Sequence, residues 1–409
     1  MAAPLWRDCR RRFPPREDVI LMALASGVVY LDHAATTPTR AEVVTRMQPY
    51  FSEFFGNPSS IYGLGRKSLD AVDTAHETVA RALSCRPTEI VFTGGGSEAD
   101  NLAIKGIAYA QRRRGNHIIT SAIEHHAVLH TCQRLELEGY TVTYLPVDEY
   151  GMVNPADVDA AITGETALVT IMYANNEVGT IQPIAEIGRI CRAHRVPFHT
   201  DAVQAGGLLN LDVTQLQVDM LTLSAHKFYG PKGVGILYIR QGTRVQPQVL
   251  GGSQERNRRA GTENVPGIVG AAAALELARG EREAETARLL ALRDQLIAGM
   301  LALPDVRLTG HPTQRMPNSA SFTLAGVEGE SLLLNLDLVD IAASSGSACT
   351  SGDIEPSHVL TAMSVSAAQA RGALRLTLGR SNTQEDISYM LQRIGEILPR
   401  LRSLSTQPA

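Results

Sequence analysis

A chain of 409 residues, 44% of them hydrophobic, is long enough for two domains and can bury a large interior. Its formal net charge of −4 gives no electrostatic reason to expect nucleic acid or an acidic membrane surface as a partner. No apolar run reaches the length of a membrane-spanning helix.

Residues 1–28 carry Arg7, Arg10, Arg11, Arg12 and Arg16 without the apolar segment of a secretory signal. Asp8, Glu17 and Asp18 dilute the charge a transit peptide needs. The segment reads as an N-terminal extension, disordered or translated from upstream of a start at Met22. The five cysteines are Cys9, Cys85, Cys132, Cys191 and Cys349, scattered and with no C-x-x-C pair. That excludes a disulfide framework and a cysteine zinc site, and it fits a reducing cytosol. Cys85, Cys132 and Cys191 fall in helices or helix ends, where a buried thiol is expected.

From Ala41 onward, amphipathic helical stretches alternate with short apolar runs at 89–92, 117–120, 141–145, 167–173, 197–200, 220–223 and 235–239. Strands divided by helices predict βαβ units and a mainly parallel sheet covered on both faces. The last two runs are joined by a loop, which predicts one antiparallel strand. A long helix follows over about 266–301, with Gly280 as an interruption. Runs at 318–324, 341–343 and 373–377, with helices at 329–336, 356–363 and 383–401, predict a smaller α+β domain.

In an open α/β sheet, ligands bind beyond the carboxyl ends of the strands. After the first run comes Thr93-Gly94-Gly95-Gly96-Ser97-Glu98, opening a helix, where backbone N–H groups and the Ser97 hydroxyl can meet a phosphate. A Gly-rich helix cap without ligand reads equally well. The next run leads to Glu124-His125-His126, with His130 one turn on. Half of a metal pattern is present and nothing completes it, so no metal is expected; one histidine can instead stack on a planar cofactor.

Asn175 and Asn176 end another run, as turn formers or ligands. Asp201 ends the run at 197–200, with Gln204 three residues on. A carboxylate at the end of a buried strand needs a partner, which an N-cap or a protonated pyridine nitrogen supplies. Ser224, His226 and Lys227 follow the next strand, a placement that suits covalent capture of a carbonyl cofactor by the lysine. Gly251 to Asn264 form a long polar loop, Cys349 sits among small residues as a candidate nucleophile, and Arg375 lies inside an apolar strand. That guanidinium needs a carboxylate, from Asp or Glu of the chain or from a substrate.

Taken in order from Tyr30-Leu31-Asp32-His33-Ala34-Ala35-Thr36-Thr37-Pro38 to Leu378-Gly379-Arg380, these segments resemble the cysteine desulfurases of the nitrogenase-associated and iron–sulfur housekeeping group. The resemblance implies fold type I of the pyridoxal-phosphate enzymes: an α/β large domain at 41–285 with a mainly parallel seven-stranded sheet, and a smaller α+β domain from 29–40 and 286–409. It implies a homodimer in the cytoplasm. Lys227 resembles the Schiff-base lysine, Asp201 the partner of the ring nitrogen, Gln204 the residue at the phenolic oxygen and His125 the stacked histidine. Gly96, Ser97, Ser224 and His226 resemble the phosphate cup, with Thr262 reaching across from a second subunit. Asn176 and Arg375 resemble the substrate-carboxylate clamp, and Cys349 the cysteine that becomes a persulfide.

The implied reaction turns L-cysteine into L-alanine and hands sulfur to an acceptor such as an iron–sulfur scaffold protein. The chain departs from the family pattern at Ser97, where threonine is frequent, at Gly94 and Gly96, and at Met363-Ser364, where a glycine is expected after the helix. Selenocysteine lyase is the nearest alternative; the segment Asp353 to His358 after Cys349 favours the desulfurase. An aminotransferase on the same fold needs no Cys349, and a non-catalytic relative needs neither Lys227 nor Asp201.

Overall fold

A computed structural model describes residues 27–345 and 356–404. Its strands in chain order are β1 (Val29–Tyr30), β2 (Ile90–Thr93), β3 (His117–Ser121), β4 (Thr141–Leu145), β5 (Thr166–Thr170), β6 (Phe198–Asp201), β7 (Met220–Ser224), β8 (Gly235–Ile239), β9 (Val306–Thr309), β10 (Ser319–Leu324), β11 (Ile341–Ala342) and β12 (Ala373–Thr377). Seven of these form one sheet in the order β2-β8-β7-β6-β5-β3-β4. The pairs β3–β4, β3–β5, β5–β6 and β6–β7 are parallel. Helices cover both faces, so strands such as β3 and β5 are buried at every residue and read as continuous apolar runs. Only the edge strand β4 shows exposed positions.

β8 is the antiparallel strand, paired to both β7 and β2. Residues 225–234 are too few for a crossover helix, so the chain returns beside β7 in the opposite direction. Gly235 on β8 faces the glycine turn after β2: a Cβ there would lie 2.3 Å from the Gly95 carbonyl oxygen. Gly235→Ala is expected to cost about 1–3 kcal/mol by overpacking, read as a lower denaturant midpoint at unchanged slope.

The remaining strands form an antiparallel sheet β12-β10-β9 and a parallel pair β1-β11. β9 was not anticipated by the sequence pattern; it is a four-residue edge strand with Arg307 exposed, too short and mixed to stand out. One apolar core lies under the large sheet and includes Val43, Phe198, Leu221 and Ile268. Another joins Leu31 to Leu296, Phe322, Leu374 and Ile394.

The helix Val265–Leu301 passes through both, giving Ile268 and Leu275 to the first core and Leu289, Leu296 and Met300 to the second. The expected interruption at Gly280 is absent. That glycine is exposed, a Cβ on it would meet nothing within 4 Å, and its cost of about 1 kcal/mol in a helix is offset by packing on either side. After the helix His358–Ala362, the position where the family pattern expects glycine is Ser364, in the left-handed region at φ 62°. A non-glycine residue in that region carries a local cost of about 1–2 kcal/mol. No helix of the described residues is long and apolar enough to cross a membrane.

Candidate active site

The carboxyl ends of β6 and β7, the glycine turn before helix Gly96–Gln111 and the amino end of helix His126–Glu136 surround one cavity of about 390 Å³. Gly96, Ser97, His125 and Asn176 line it, with Asp201, Gln204, Ser224, His226, Lys227 and Arg375. Ten of the residues singled out in the sequence thus meet at one place. Thr262 is exposed and does not line the cavity of its own chain. Cys349 lies outside the described residues.

Asp201 is the last residue of β6 and is 6% exposed. Its Oδ1 accepts the Val203 backbone N–H at 2.9 Å. Burial pushes this carboxyl up; the Val203 bond and the charge of Lys227 pull it back toward the anion. Lys227 ends the single 3-10 turn after β7, and its Nζ donates to the carbonyl oxygens of Ala34 and Ala35 at 2.5 and 2.7 Å. The segment after β1 therefore holds Lys227 and Gln204 together, since Gln204 Nε2 also donates to the Ala34 carbonyl at 3.1 Å.

His125 is the N-cap of its helix, with Nδ1 accepting the Ala127 N–H at 3.1 Å. In the neutral ring that leaves the proton on Nε2. Burial first, then Lys227, His126 and His130, hold its pKa down to about 4, so the ring is neutral at pH 7. His226 is held down to about 4 by burial, Lys227 and Lys232. His126 and His130 share a helix face with rings stacked at 5.0 Å, and His358 lies 5.0 Å from His126. Among the described residues no group of three or more His, Cys, Asp or Glu side chains is arranged to hold a metal ion.

A second hollow of about 470 Å³ shares Gly96, Ser97, Ser224 and His226 with the cavity and adds Thr36 and Lys232. A Cβ on Gly96 would sit 3.0 Å from Val203 and 3.3 Å from Ser224, so glycine keeps this wall open. Of the two asparagines, Asn175 makes the turn: its Oδ1 accepts the N–H groups of Glu177 and Val178 at 2.8 and 2.9 Å. Asn176 lines the cavity.

Arg375 is 2% exposed, and one guanidinium nitrogen donates to Asp32 Oδ1 at 2.7 Å. Another donates to the Asn176 carbonyl at 3.1 Å. The sequence left its carboxylate open between the chain and a ligand. Asp32 answers for the chain, and the same side chain still lines the cavity.

The described thiols offer no competing nucleophile. Cys132 and Cys191 are buried, Cys85 is half-buried, and burial pushes all three up to about 12. Sequence reasoning passed over three buried carboxyls at this site, Asp100, Glu124 and Glu177. Their polar neighbours, such as Asn101, His125 and Asn176, gave no sign that they would be buried.

Residues 29–390 match the family described as Aminotransferase class-V. A relative named cysteine desulfurase IscS, from Methanosarcina thermophila, is 56% identical over 92% of this chain and 93% of its own length. A solved NifS-like protein superimposes with a TM-score of 0.87 at 39% identity, covering 91% of this chain and all of the other. A structure described as SspA in complex with cysteine has a TM-score of 0.76 at 38% identity, over 86% and 98% of the two chains. This chain belongs to the cysteine desulfurase group of the class-V aminotransferase family.

Proposed function

We propose that this protein is a pyridoxal-phosphate-dependent cysteine desulfurase. It converts L-cysteine to L-alanine and carries the sulfur on Cys349 to an acceptor protein. The observation that carries this reading is the convergence of Lys227, Asp201 and Arg375 on one cavity. The SspA structure, in complex with cysteine, supports L-cysteine as the substrate.

The residues fit the cofactor. Asp201, a buried carboxyl held toward its anion by the Val203 N–H and Lys227, offers a cationic ring nitrogen a partner. Ser97, Ser224, His226 and the start of helix Gly96–Gln111 offer donors to a phosphate. Lys227 offers the amine. When bound, pyridoxal phosphate supplies a carbonyl carbon that captures amines and a cationic ring that accepts an electron pair.

The chain does the rest. Arg375, held by Asp32, takes the substrate carboxylate with Asn176 beside it. Lys227 Nζ takes the α-proton as general base. The neutral His125 ring lines the cavity, would lie against the cofactor and can hold or pass a proton at Nε2. Cys349 thiolate attacks the substrate sulfur; the S–S bond forms as the C–S bond breaks. The C–S electron pair stays with carbon, which takes a proton to give alanine. Ser344, five residues before Cys349 in the sequence, is bridged to Arg375, which lines the cavity.

A second copy of the chain covers the apolar side chains at residues 51–62, where Phe51 and Phe55 are each 66% exposed and Ile61 is 93% exposed. In that homodimer Thr262 completes the partner's phosphate cup. The acceptor is an iron–sulfur scaffold or another sulfur-requiring protein of the cytoplasm. Residues 41–285 form the large domain, and 29–40 with 286–409 the small one.

Mass spectrometry after incubation with L-cysteine tests the assignment. One added sulfur on the peptide containing Cys349 is expected, and none in Cys349→Ala, which keeps its cofactor absorbance. Sulfur on Cys85, Cys132 or Cys191 instead would remove Cys349 from the mechanism.

A further inference from the structure

Asp100 is the fifth residue of helix Gly96–Gln111, 1% exposed, and lines the same cavity as Asp201. Its Oδ1 has no hydrogen-bond partner among the described residues. His199 Nε2 lies 3.7 Å from it. That imidazole cannot supply a positive charge. Thr170 Oγ1 lies 2.9 Å from its Nδ1 and Thr222 Oγ1 3.0 Å from its Nε2, and burial holds its pKa down to about 3.

The two carboxyls differ in what they are offered. Asp201 accepts a backbone N–H and feels Lys227. Asp100 meets burial, the like charge of Asp201, a weaker push from Glu124, and only the Thr222 hydroxyl in favour of its anion. Glu124, fully buried on the loop before helix His126–Glu136, already accepts the Ser121 hydroxyl at 2.6 Å and the Met172 N–H at 3.0 Å. Two neighbouring buried anions without a cation each are more costly than one anion and one neutral acid.

We propose that Asp100 is a positioning residue that acts through Asp201: a protonated acid that leaves one negative charge on the cavity floor to meet one cation. The proposal rests on the cofactor reading above. It gives Asp100 the task of matching the charge of the site to a single cationic ring nitrogen. A net charge of two there would hold the cation together with an uncompensated anion.

The sign of the pH dependence follows. The folded chain keeps a proton on Asp100 that the unfolded chain releases near the ordinary aspartate value. The stability present at low pH is therefore lost as pH rises through the folded-state value. Glu124 and Glu177 are also pushed up by burial and add their own decline, so the comparison is with a variant.

Thermal unfolding of the full chain from about pH 6 to about pH 9, with and without added pyridoxal phosphate, tests this. Without cofactor, the wild-type midpoint should fall at least about 1.5 °C further than that of Asp100→Asn, a shift that a tenfold proton linkage produces in a chain of this length. The asparagine imitates the neutral acid, so the variant should still take up pyridoxal phosphate and show its absorbance. Superimposable pH curves would overturn the proposal, as would loss of the cofactor in Asp100→Asn. If that variant does not fold, Asp201→Asn serves: removing the like charge should move the Asp100-dependent decline to lower pH, and an unmoved curve sinks the pair. Wild-type protein that takes up no pyridoxal phosphate would defeat the cofactor reading, while the unfolding curves still decide the carboxyl pair.

Discussion

Lys227→Ala is expected to release alanine from L-cysteine about 10⁴-fold more slowly than the parent chain, because one amine is lost as both covalent anchor and general base. Cofactor bound by the variant should wash out on dialysis, and borohydride should fix none of it to the chain. The test is unusually clean in this sequence. Only four lysines are present, Lys67, Lys105, Lys227 and Lys232. Lys227 lines the cavity, Lys232 lines the neighbouring hollow, and Lys67 stands over the Phe54 ring. Reduction of the parent chain followed by peptide mapping should give one labelled lysine. A label on Lys232 would move the anchor across the loop between β7 and β8 and end the present assignment.

Arg375→Ala carries the second large effect, and it acts on folding as well as turnover. The guanidinium is 2% exposed and its partner Asp32 is 18% exposed at the side chain. Removing one member of such a pair leaves the other charge uncompensated, at about 3–5 kcal/mol. The Asn176 carbonyl also loses its donor. The denaturant midpoint should fall accordingly. In the fraction that folds, KM for cysteine should rise about 10–100-fold, the value of a charge-assisted hydrogen bond to a carboxylate. Asp32→Asn separates the two effects. It should weaken folding by leaving Arg375 poorly paired, yet keep the guanidinium for substrate. Equal KM values for Arg375→Ala and the parent chain would take Arg375 out of the substrate clamp.

The strands around the site were legible because they are buried on both faces. The run at 235–239 coincides with β8 and the run at 117–120 covers all but the last residue of β3, and the loop joining the last two runs correctly implied the antiparallel strand. The run at 167–173 was read too long. β5 ends at Thr170, and beyond it the Met172 N–H goes to the Glu124 carboxylate rather than to a strand. Such a side-chain substitution for a ladder bond leaves no periodic trace in the sequence.

Pairings between distant residues were equally hidden. The carboxylate that meets Arg375 stands 343 residues away, on the segment after β1. Asp100 escaped notice because its neighbours in sequence look like an ordinary helix, and only the fold brings it to the wall that Asp201 occupies. Histidine 125 could be singled out from 126 and 130 by the resemblance alone. Its N-cap bond to Ala127, which fixes the ring's tautomer, became visible only in three dimensions.

The helix Val265–Leu301 has a mechanical consequence. At 37 residues it is a rod about 55 Å long, embedded in one core at its first turns and in the other at its last. Two apolar cores packed on one rod cannot turn freely against each other. They move only as far as the rod flexes, and its exposed middle around Gly280 is the compliant stretch. Amide exchange along this helix should therefore be fastest near its centre and slow toward both embedded portions, the reverse of a free helix that frays from its ends.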